Sequence, residues 1–359
     1  MKELRIESGD RGQRLTKFIQ RRLPDAPSSF IYKMLRKKNI KLNGKKASGS
    51  ELLLEGDLVT FFLSDETISG FGGKTGFNSD PVTLGMADEY VRAYRQINGR
   101  IGGKGILYED SDILAVRKPV GVLSQKASDD DRSMNEWFVG YLIESGQIHP
   151  DQLTDFKPSV CNRLDRNTGG ILLCAKSLQG ARKTAELLRD RSLRKYYQAA
   201  VVGTVRGSGI IRGYLAKDRD ANTVRFTKNG SEGRSGRQKD DKQGSWTETT
   251  YQVLASGTAF SLLELELITG KTHQIRAHLA SEGHPIVGDP KYGDRELNRQ
   301  LRAGLGIRGQ MLWCCRIEFP VIEDAQFSAI SGRTIVCDPP ALYREIAESS
   351  GKDLRRIQG

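Results

Sequence analysis

The sequence predicts an α+β protein, in which a small N-terminal α/β module precedes a larger domain with a mixed, largely antiparallel sheet flanked by helices. Two observations predict this class. Near the N-terminus, apolar residues first recur at helical spacing and then form short strand-like runs. From Gly105 onward, many short apolar runs follow one another with few helical patterns between them, which indicates strands that mostly pair antiparallel.

The N-terminal module is predicted to contain two helices and two strands. The first helix covers 14–23 and is closed by Pro24, and Ser28 can cap a second helix. Strands at 40–42 and 58–63 follow, with an Asn43-Gly44 turn after the first of them.

Basic charge is concentrated in this module. The chain has a net charge of +12 and a pI near 9.4, and twelve Lys and Arg residues stand between positions 11 and 46 against one acid, Asp25. Such a surplus favours a polyanionic partner but does not choose between RNA, DNA and a membrane. Four of the cations are predicted to project outward from the second helix, and the alternative is that they are merely solvated: Lys33, Arg36, Lys37 and Lys38.

The larger domain is predicted from the remaining apolar runs. Strands are expected at 113–116, 171–175, 196–202, 224–227, 249–254, 260–268 and 311–319, and helices at 133–144, 180–188, 273–281 and 340–349. Residues 65–104 are interpreted as a connector with one helix near 87–97. Residues 216–245 form a polar insert, for which a mobile basic loop that closes on RNA and a passive insertion both stay open.

Composition excludes several classes of protein. The length of 359 residues suggests two domains, and no run of eighteen apolar residues or signal-peptide core appears, so a cytoplasmic protein is expected. The five cysteines are odd in number and irregularly spaced, which argues against a disulfide framework and a zinc site. His273 and His278 are five residues apart with no following Glu, so they do not form a zincin motif.

Asp165 is the strongest candidate for chemistry. It lies between Arg163 and Arg166, just before two glycines and the buried strand predicted at 171–175. Neighbouring cations hold a carboxylate ionised, and an ionised carboxylate in a fixed position suits nucleophilic attack. From the pattern alone, a surface ion-pair turn is an equally good interpretation.

Several segments together resemble the large-ribosomal-subunit pseudouridine synthases of the RluA-like family. They span about residues 105 to 320 and stand in the family's order: Lys118-Pro119-x-Gly121, Arg163-Leu164-Asp165-x-x-Thr168-x-Gly170, Lys195-Tyr196-Tyr197-Gln198-Ala199, the run from Leu267 to Arg276, and the run from Gly283 to Asp289. The sequence departs from the family pattern at Asn162, where many relatives have His, and at Gly169, where many have Ser.

The resemblance implies a pseudouridine synthase fold and the conversion of uridine to pseudouridine in RNA, most directly in 23S ribosomal RNA, with no cofactor and no metal. It implies that Asp165 is the nucleophile, that Arg276 is its cationic partner, and that Tyr197 stacks on the uracil. Tyr196, next to it on a strand, must face the other way. Whether Asp165 attacks the sugar or the base stays open.

The resemblance also implies contacts to RNA. Arg163 is expected to fill the gap left by the flipped uridine, while Lys118 and Lys271 are candidates for phosphate contacts, with ordinary surface lysines as the alternative. Near the N-terminus, Arg14-Leu15, Asn43-Gly44-Lys45 and Gly56-Asp57 resemble the S4 RNA-binding domain. The RNA contacts expected there are Arg14, Lys33, Arg36, Lys37 and Lys38.

These resemblances predict an S4-like domain at 1–64, a linker with a short helix at 65–104 and a catalytic domain at 105–359, in a protein that is a monomer and binds RNA but no membrane. Two other functions are weighed. One is a non-catalytic RNA-binding or ribosome-assembly factor, which the N-terminal module alone would support. The other is a base-releasing hydrolase, for which the motifs offer no second acid.

Overall fold

A computed structural model describes residues 1–6, 10–71, 81–154, 156–218, 223–228 and 244–349. The chain divides into two compact units, which are described separately. The first comprises 1–115, 124–163 and 172–186, and the second comprises 116–123, 164–171 and 187–359. Among the described residues, no helix combines the length and the apolar character needed to cross a membrane.

The first unit begins with a four-stranded antiparallel sheet and two helices. The strands are β1 (Lys2–Arg5), β2 (Ile40–Leu42), β3 (Lys45–Lys46) and β4 (Leu58–Phe61), in the order β1-β4-β2-β3, and the helices are α1 (Leu15–Arg22) and α2 (Ser28–Arg36). Phe18, Ile31, Leu35 and Phe61 lie in their shared core, because the apolar residues of each helix recur on one face. The two helices and strands β2 and β4 were predicted, whereas β1 and β3 were not.

The opposite faces of these helices carry the basic residues. Arg14, Lys33, Arg36, Lys37 and Lys38 are all exposed, and Lys38 takes the left-handed conformation that ends α2. The basic side chains of α2 therefore project outward, as predicted. Two side chains of a later helix bond to this module, since Gln179 Nε2 donates to the Arg11 carbonyl at 3.1 Å and Arg182 donates to that of Gly12 at 2.8 Å.

Two helices lie between this module and the next strands. These are α3 (Asp65–Gly70) and α4 (Pro81–Ile101); the glycine-rich positions 72–80 fall outside the described residues. Helix α4 is longer than the 87–97 predicted and packs against α5 (Met134–Glu144). The backbones approach closely at Gly140, where a Cβ atom would lie 2.1 Å from the Tyr90 carbonyl oxygen. The helix within the predicted connector is thus packed on its neighbour.

The first unit also contains the elements that flank the catalytic motif. They are β5 (Ile106–Glu109), the first residues of β6 (Ile113–Lys118), β7 (Ser159–Val160), the last residues of β8 (Gly169–Ala175) and most of α6 (Leu178–Arg189), besides a 3-10 turn at Pro150–Thr154. Residues 171–175 are fully buried, as the continuous apolar run predicts.

The second unit is built on antiparallel strands. In sheet order they are β11 (Thr223–Thr227), β10 (Ser208–Asp218), β12 (Ser245–Ser256), β13 (Phe260–Leu267), β9 (Arg194–Val202) and β14 (Leu312–Glu318). Strand β14 also pairs in parallel with the first residues of β8 and antiparallel with β15 (Thr334–Val336). This pairing gives the mixed, largely antiparallel sheet that the sequence predicts.

Helices of the second unit are α7 (Gln274–Ser281), α8 (Arg295–Leu305) and α9 (Leu342–Glu348). Helix α8 was not predicted; Asp294 caps it by accepting from the Leu297 amide at 2.7 Å, and it ends at Gly306 in the left-handed conformation. Most of the polar insert, namely 219–222 and 229–243, lies outside the described residues. Between these gaps stands β11, close to the strand predicted at 224–227.

Candidate active site

Asp165 stands on a tight turn at the entrance of β8. The Thr168 amide donates to the Asp165 carbonyl at 3.0 Å, which closes the turn, and the side chain of Asp165 keeps 27% of its surface exposed. Gly170 has φ +103°, and a Cβ atom there would lie 2.1 Å from the Cys314 carbonyl oxygen on β14. Only glycine fits this position, so the glycine of the motif sets the direction in which the turn enters the sheet.

Lys118 stabilises the same turn through hydrogen bonds to backbone carbonyl groups. Its Nζ donates to the Arg166 carbonyl at 3.1 Å and to the Pro119 carbonyl at 3.0 Å, and the Gly121 amide donates to the Arg166 carbonyl at 2.7 Å. The side chain is fully buried, with 0% exposed. The predicted phosphate contact by Lys118 does not fit this position, because a phosphate cannot reach a buried ammonium group. Instead the Lys118-Pro119-x-Gly121 segment holds the backbone that follows Asp165.

The two residues that depart from the family pattern, Gly169 and Asn162, each have a specific contact in the structure. A Cβ atom on Gly169 would lie 2.3 Å from the ring of Trp313, whose indole N–H donates to the Cys337 carbonyl at 2.7 Å. The large indole therefore takes up the space that a side chain at 169 would need. Asn162 accepts a hydrogen bond from the Leu173 amide at 2.8 Å, which ties the start of the motif to β8.

Arg276 is brought to Asp165 by the first turn of α7. One terminal nitrogen of the guanidinium lies 2.8 Å from Oδ2 of Asp165, and the arginine side chain is 4% exposed. These two residues are 111 positions apart in the sequence. The hydrogen bond from this permanent cation holds one carboxylate oxygen and leaves the other facing away from it.

Asp289 binds the rest of the same guanidinium. Its two oxygens accept from Nε and the other terminal nitrogen of Arg276 at 2.7 and 2.8 Å, and Oδ1 also accepts from the amides of Lys291 and Tyr292. Burial alone would raise the pKa of Asp289, but the hydrogen bond and charge of Arg276 outweigh it and lower this pKa. Likewise, burial would lower the pKa of Arg276, whereas Asp289 and Asp165 raise it. Arg276 is thus held on three sides by hydrogen bonds.

His273 and Tyr292 complete the surroundings of the carboxylate. His273 Nε2 lies 3.9 Å from Oδ2 of Asp165, and Nδ1 lies 3.0 Å from the Tyr292 hydroxyl, which accepts from the Val224 amide. Burial lowers the pKa of His273 more than the charge of Asp165 raises it, so the imidazole is neutral near pH 7. The Arg276 guanidinium also stacks 5.2 Å from the centre of the Tyr292 ring.

Tyr197 lies on β9 with its side chain buried on the Asp165 side of the strand. It is 5% exposed, and burial is the main cause that raises its pKa well above the usual value, with a smaller contribution from the charge of Asp165. Its phenol is therefore protonated at neutral pH. Tyr196 faces the other way, as alternation requires, and stacks on Arg316 at 3.9 Å. The structure thus places Tyr197, rather than Tyr196, near the carboxylate.

The remaining predicted residues stand at the surface. Lys271 is exposed just ahead of α7, where its backbone amide donates to Gln274 Oε1 at 3.1 Å. Arg163 is exposed in the first unit, as are the cations of α2. Exposure leaves each of them available to a polyanion.

Sequence reasoning assigned no role to three members of the Asp165 environment: Asp289, Tyr292 and His273. The sequence nevertheless placed two of them, His273 and Asp289, inside the matched motifs. His273 stands three residues before Arg276 in the motif, and Asp289 closes the segment Gly283 to Asp289 that was matched without a function. What could not be predicted is that Asp289 and Tyr292 both contact the guanidinium of Arg276, because that depends on how residues 282–292 return to α7.

Comparisons with known proteins show which enzymes this chain is similar to. The family model for RNA pseudouridylate synthase matches residues 112–281. The chain is 28% identical to the ribosomal large subunit pseudouridine synthase C of Escherichia coli (strain K12), over 89% of this chain and 88% of that protein. It is also 28% identical to the protein of that name from Vibrio vulnificus (strain CMCP6), over 82% and 80% of the two chains.

A solved structure shares the fold. It is the human RNA pseudouridylate synthase domain containing 4, with a TM-score of 0.54 and 23% identity over 71% of this chain and 95% of that one. Together, the matched family model, the long alignments and the fold define an RNA pseudouridine synthase. In its motifs the chain is similar to the RluA-like family of these enzymes, and it isomerises uridine in RNA, as the motifs predicted.

Proposed function

We propose that this enzyme converts specific uridines of large-subunit ribosomal RNA to pseudouridine, with Asp165 as the nucleophile, Arg276 as its partner and Tyr197 as the platform for the base. The hydrogen bond of 2.8 Å between Arg276 and Asp165 is the observation that carries the proposal. The names of the bacterial relatives, which are large-subunit ribosomal enzymes, support the choice of RNA.

The reaction breaks the C1′–N1 bond, turns the uracil and rejoins it to the sugar through C5. Asp165 supplies the nucleophile, and Arg276 holds one of its oxygens in a fixed position. The uracil must stay bound while it turns, and a protonated, buried Tyr197 suits a stacking role. C5 loses a proton as N1 gains one, and neutral His273, 3.9 Å from the carboxylate, can accept it.

The proposal includes the domain organisation and setting expected from the sequence. An S4-like domain at 1–64 would bind RNA through the exposed cations of α1 and α2, the segment 65–104 would connect it to a catalytic domain at 105–359, and Arg163 and Lys271 would contact the substrate. The charge of +12 supports a polyanionic partner. We further propose that the enzyme acts as a monomer in the cytoplasm.

Mapping pseudouridine in large-subunit RNA tests the proposed function. In cells that carry Asp165→Ala in place of the natural chain, we expect specific positions to revert to uridine while the protein still co-purifies with ribosomal RNA. Cells with the natural chain are the control. Unchanged modification would contradict the proposal, whereas unchanged modification with altered subunit assembly would favour the non-catalytic assembly factor.

The RNA-binding role of α2 makes a separate prediction. Changing Lys33, Arg36, Lys37 and Lys38 to Gln should weaken RNA binding and flatten its dependence on salt, by up to about 0.9 in the log–log slope for each lost contact to duplex phosphates. Filter binding across a series of salt concentrations measures this slope. The control exchanges Lys for Arg and Arg for Lys at the same four positions, which keeps the charge. A slope equal to that of the natural chain would show that α2 does not contact RNA.

A further inference from the structure

The N-terminal module contains a cavity on its basic face. Its volume is about 410 Å³, within the range of about 300 to 1,000 Å³ in which small-molecule sites fall. It lies between α2 and the segment that begins with β3, and its lining includes Tyr32, Lys33 and Arg36 from the helix and Lys46 from the strand. No residue of the Asp165 site contributes to it.

The chemistry of the lining has three parts. Lys33, Arg36 and Lys46 are exposed cations, and among the residues that the structure describes no carboxylate lies within ion-pair distance of any of them. Buried Leu35 and Ala47 form an apolar floor. Tyr32 is 55% exposed, so its ring is accessible to a stacking partner. Three cations suit phosphate, and the floor and ring suit a flat base.

Gly49 follows the lining residue Ser48 and packs beside Tyr32. This glycine has φ +97°, and a Cβ atom there would meet Thr16 at 2.4 Å and lie 3.5 Å from the Tyr32 ring. The carboxylate of Glu51 is nearby but is engaged by the amides of Ser48 and Gly49 and the Ser48 hydroxyl. These bonds hold the turn in place and leave the lysine and arginine side chains to a ligand.

We propose that this cavity binds one unpaired nucleotide of the RNA substrate, with the base stacked on Tyr32 and the phosphate held by Lys33, Arg36 and Lys46. The inference rests on the proposed function, since it assigns the RNA a second point of recognition away from Asp165. It predicts that substrates carry a single-stranded nucleotide outside the modified site.

The test measures binding of a five-nucleotide single-stranded RNA with 2-aminopurine at its centre to the full chain, and it needs no turnover. Tyr32→Ala should weaken binding about 10-fold and abolish the stacking quench of 2-aminopurine, whereas Tyr32→Phe should preserve both. An oligonucleotide that lacks the central base should bind equally weakly to the natural chain and to Tyr32→Ala.

The second part of the test removes positive charges from the cavity lining. Arg36→Gln with Lys46→Gln should weaken binding of this short RNA, whereas Lys104→Gln with Arg302→Gln, which removes two exposed cations that do not line the cavity, should not. Equal affinity of Tyr32→Ala and the natural chain, equal binding of the abasic probe, or equally tight binding of a pentaglutamate peptide would overturn the inference. Loss of turnover in Asp165→Asn is measured separately, so failure here leaves the proposed function intact.

Discussion

Asp165→Asn is expected to abolish turnover while it leaves RNA affinity within a few-fold of that of the natural chain. The amide keeps the size of the carboxylate and can still accept a hydrogen bond from Arg276, but it is not a nucleophile. Removal of a residue at the centre of covalent catalysis commonly costs several orders of magnitude, and we expect a loss of at least about 10⁴-fold in kcat. Release of tritium from uracil C5 of labelled RNA measures turnover, and filter binding measures affinity.

The Asp165→Asn variant should keep its fold. Arg276 keeps both hydrogen bonds to Asp289 when the charge at 165 is lost, so its guanidinium is not left unpaired. The Asp165–Arg276 pair is itself partly exposed, and pairs of this kind contribute about 1 kcal/mol or less to stability. Asp130→Asn, which makes the same change at an exposed loop position, is the matched control. Comparable turnover in Asp165→Asn and Asp130→Asn would rule out Asp165 as the nucleophile.

The sequence predicted the fold well where the pattern is local. Helix α2 follows from Ser28 and the spacing of its apolar residues, and the strand at 171–175 follows from a continuous apolar run. Helix α8 was missed because its inner face is narrow; only Leu301 among its residues is buried. Strand β10 was missed because it contains glycines and because its longest pairing is with β12, which follows only after the polar insert.

The sequence predicted several residues of the site, but it did not predict which of them are buried or what they contact. The motifs gave Asp165, Tyr197 and Arg276, and alternation along β9 separated the two tyrosines. Lys118 was misread, because nothing in a short motif distinguishes a lysine that faces a phosphate from one buried against a carbonyl. A motif records which residue types recur, whereas burial and partners depend on the packing of distant segments.

The second large effect is expected at Asp289, which acts on the reaction through Arg276. A fully buried carboxylate that accepts two hydrogen bonds from one guanidinium fixes its plane, so that the remaining nitrogen points at Asp165. In Asp289→Asn the amide can accept only one of these bonds, and its NH2 group faces a cation. We expect kcat to fall about 100-fold with little change in KM, because the RNA surface is untouched while the nucleophile loses its orientation. Breaking such a buried pair should also lower the free energy of unfolding by about 3 kcal/mol.

A double-mutant cycle separates positioning from general destabilisation. If Asp289 acts by orienting Arg276, then adding Asp289→Asn to Arg276→Gln should reduce kcat by less than about 3-fold beyond Arg276→Gln alone, since the group it orients is gone. Urea unfolding of the natural chain, the two single variants and the double variant shows under which conditions each is folded, and kcat is compared under those conditions. Asp294→Asn, at the exposed cap of α8, is the control and should retain kcat because Asn caps a helix about as well as Asp. Independent, multiplicative losses in the double variant would mean that Asp289 stabilises the second unit without orienting Arg276.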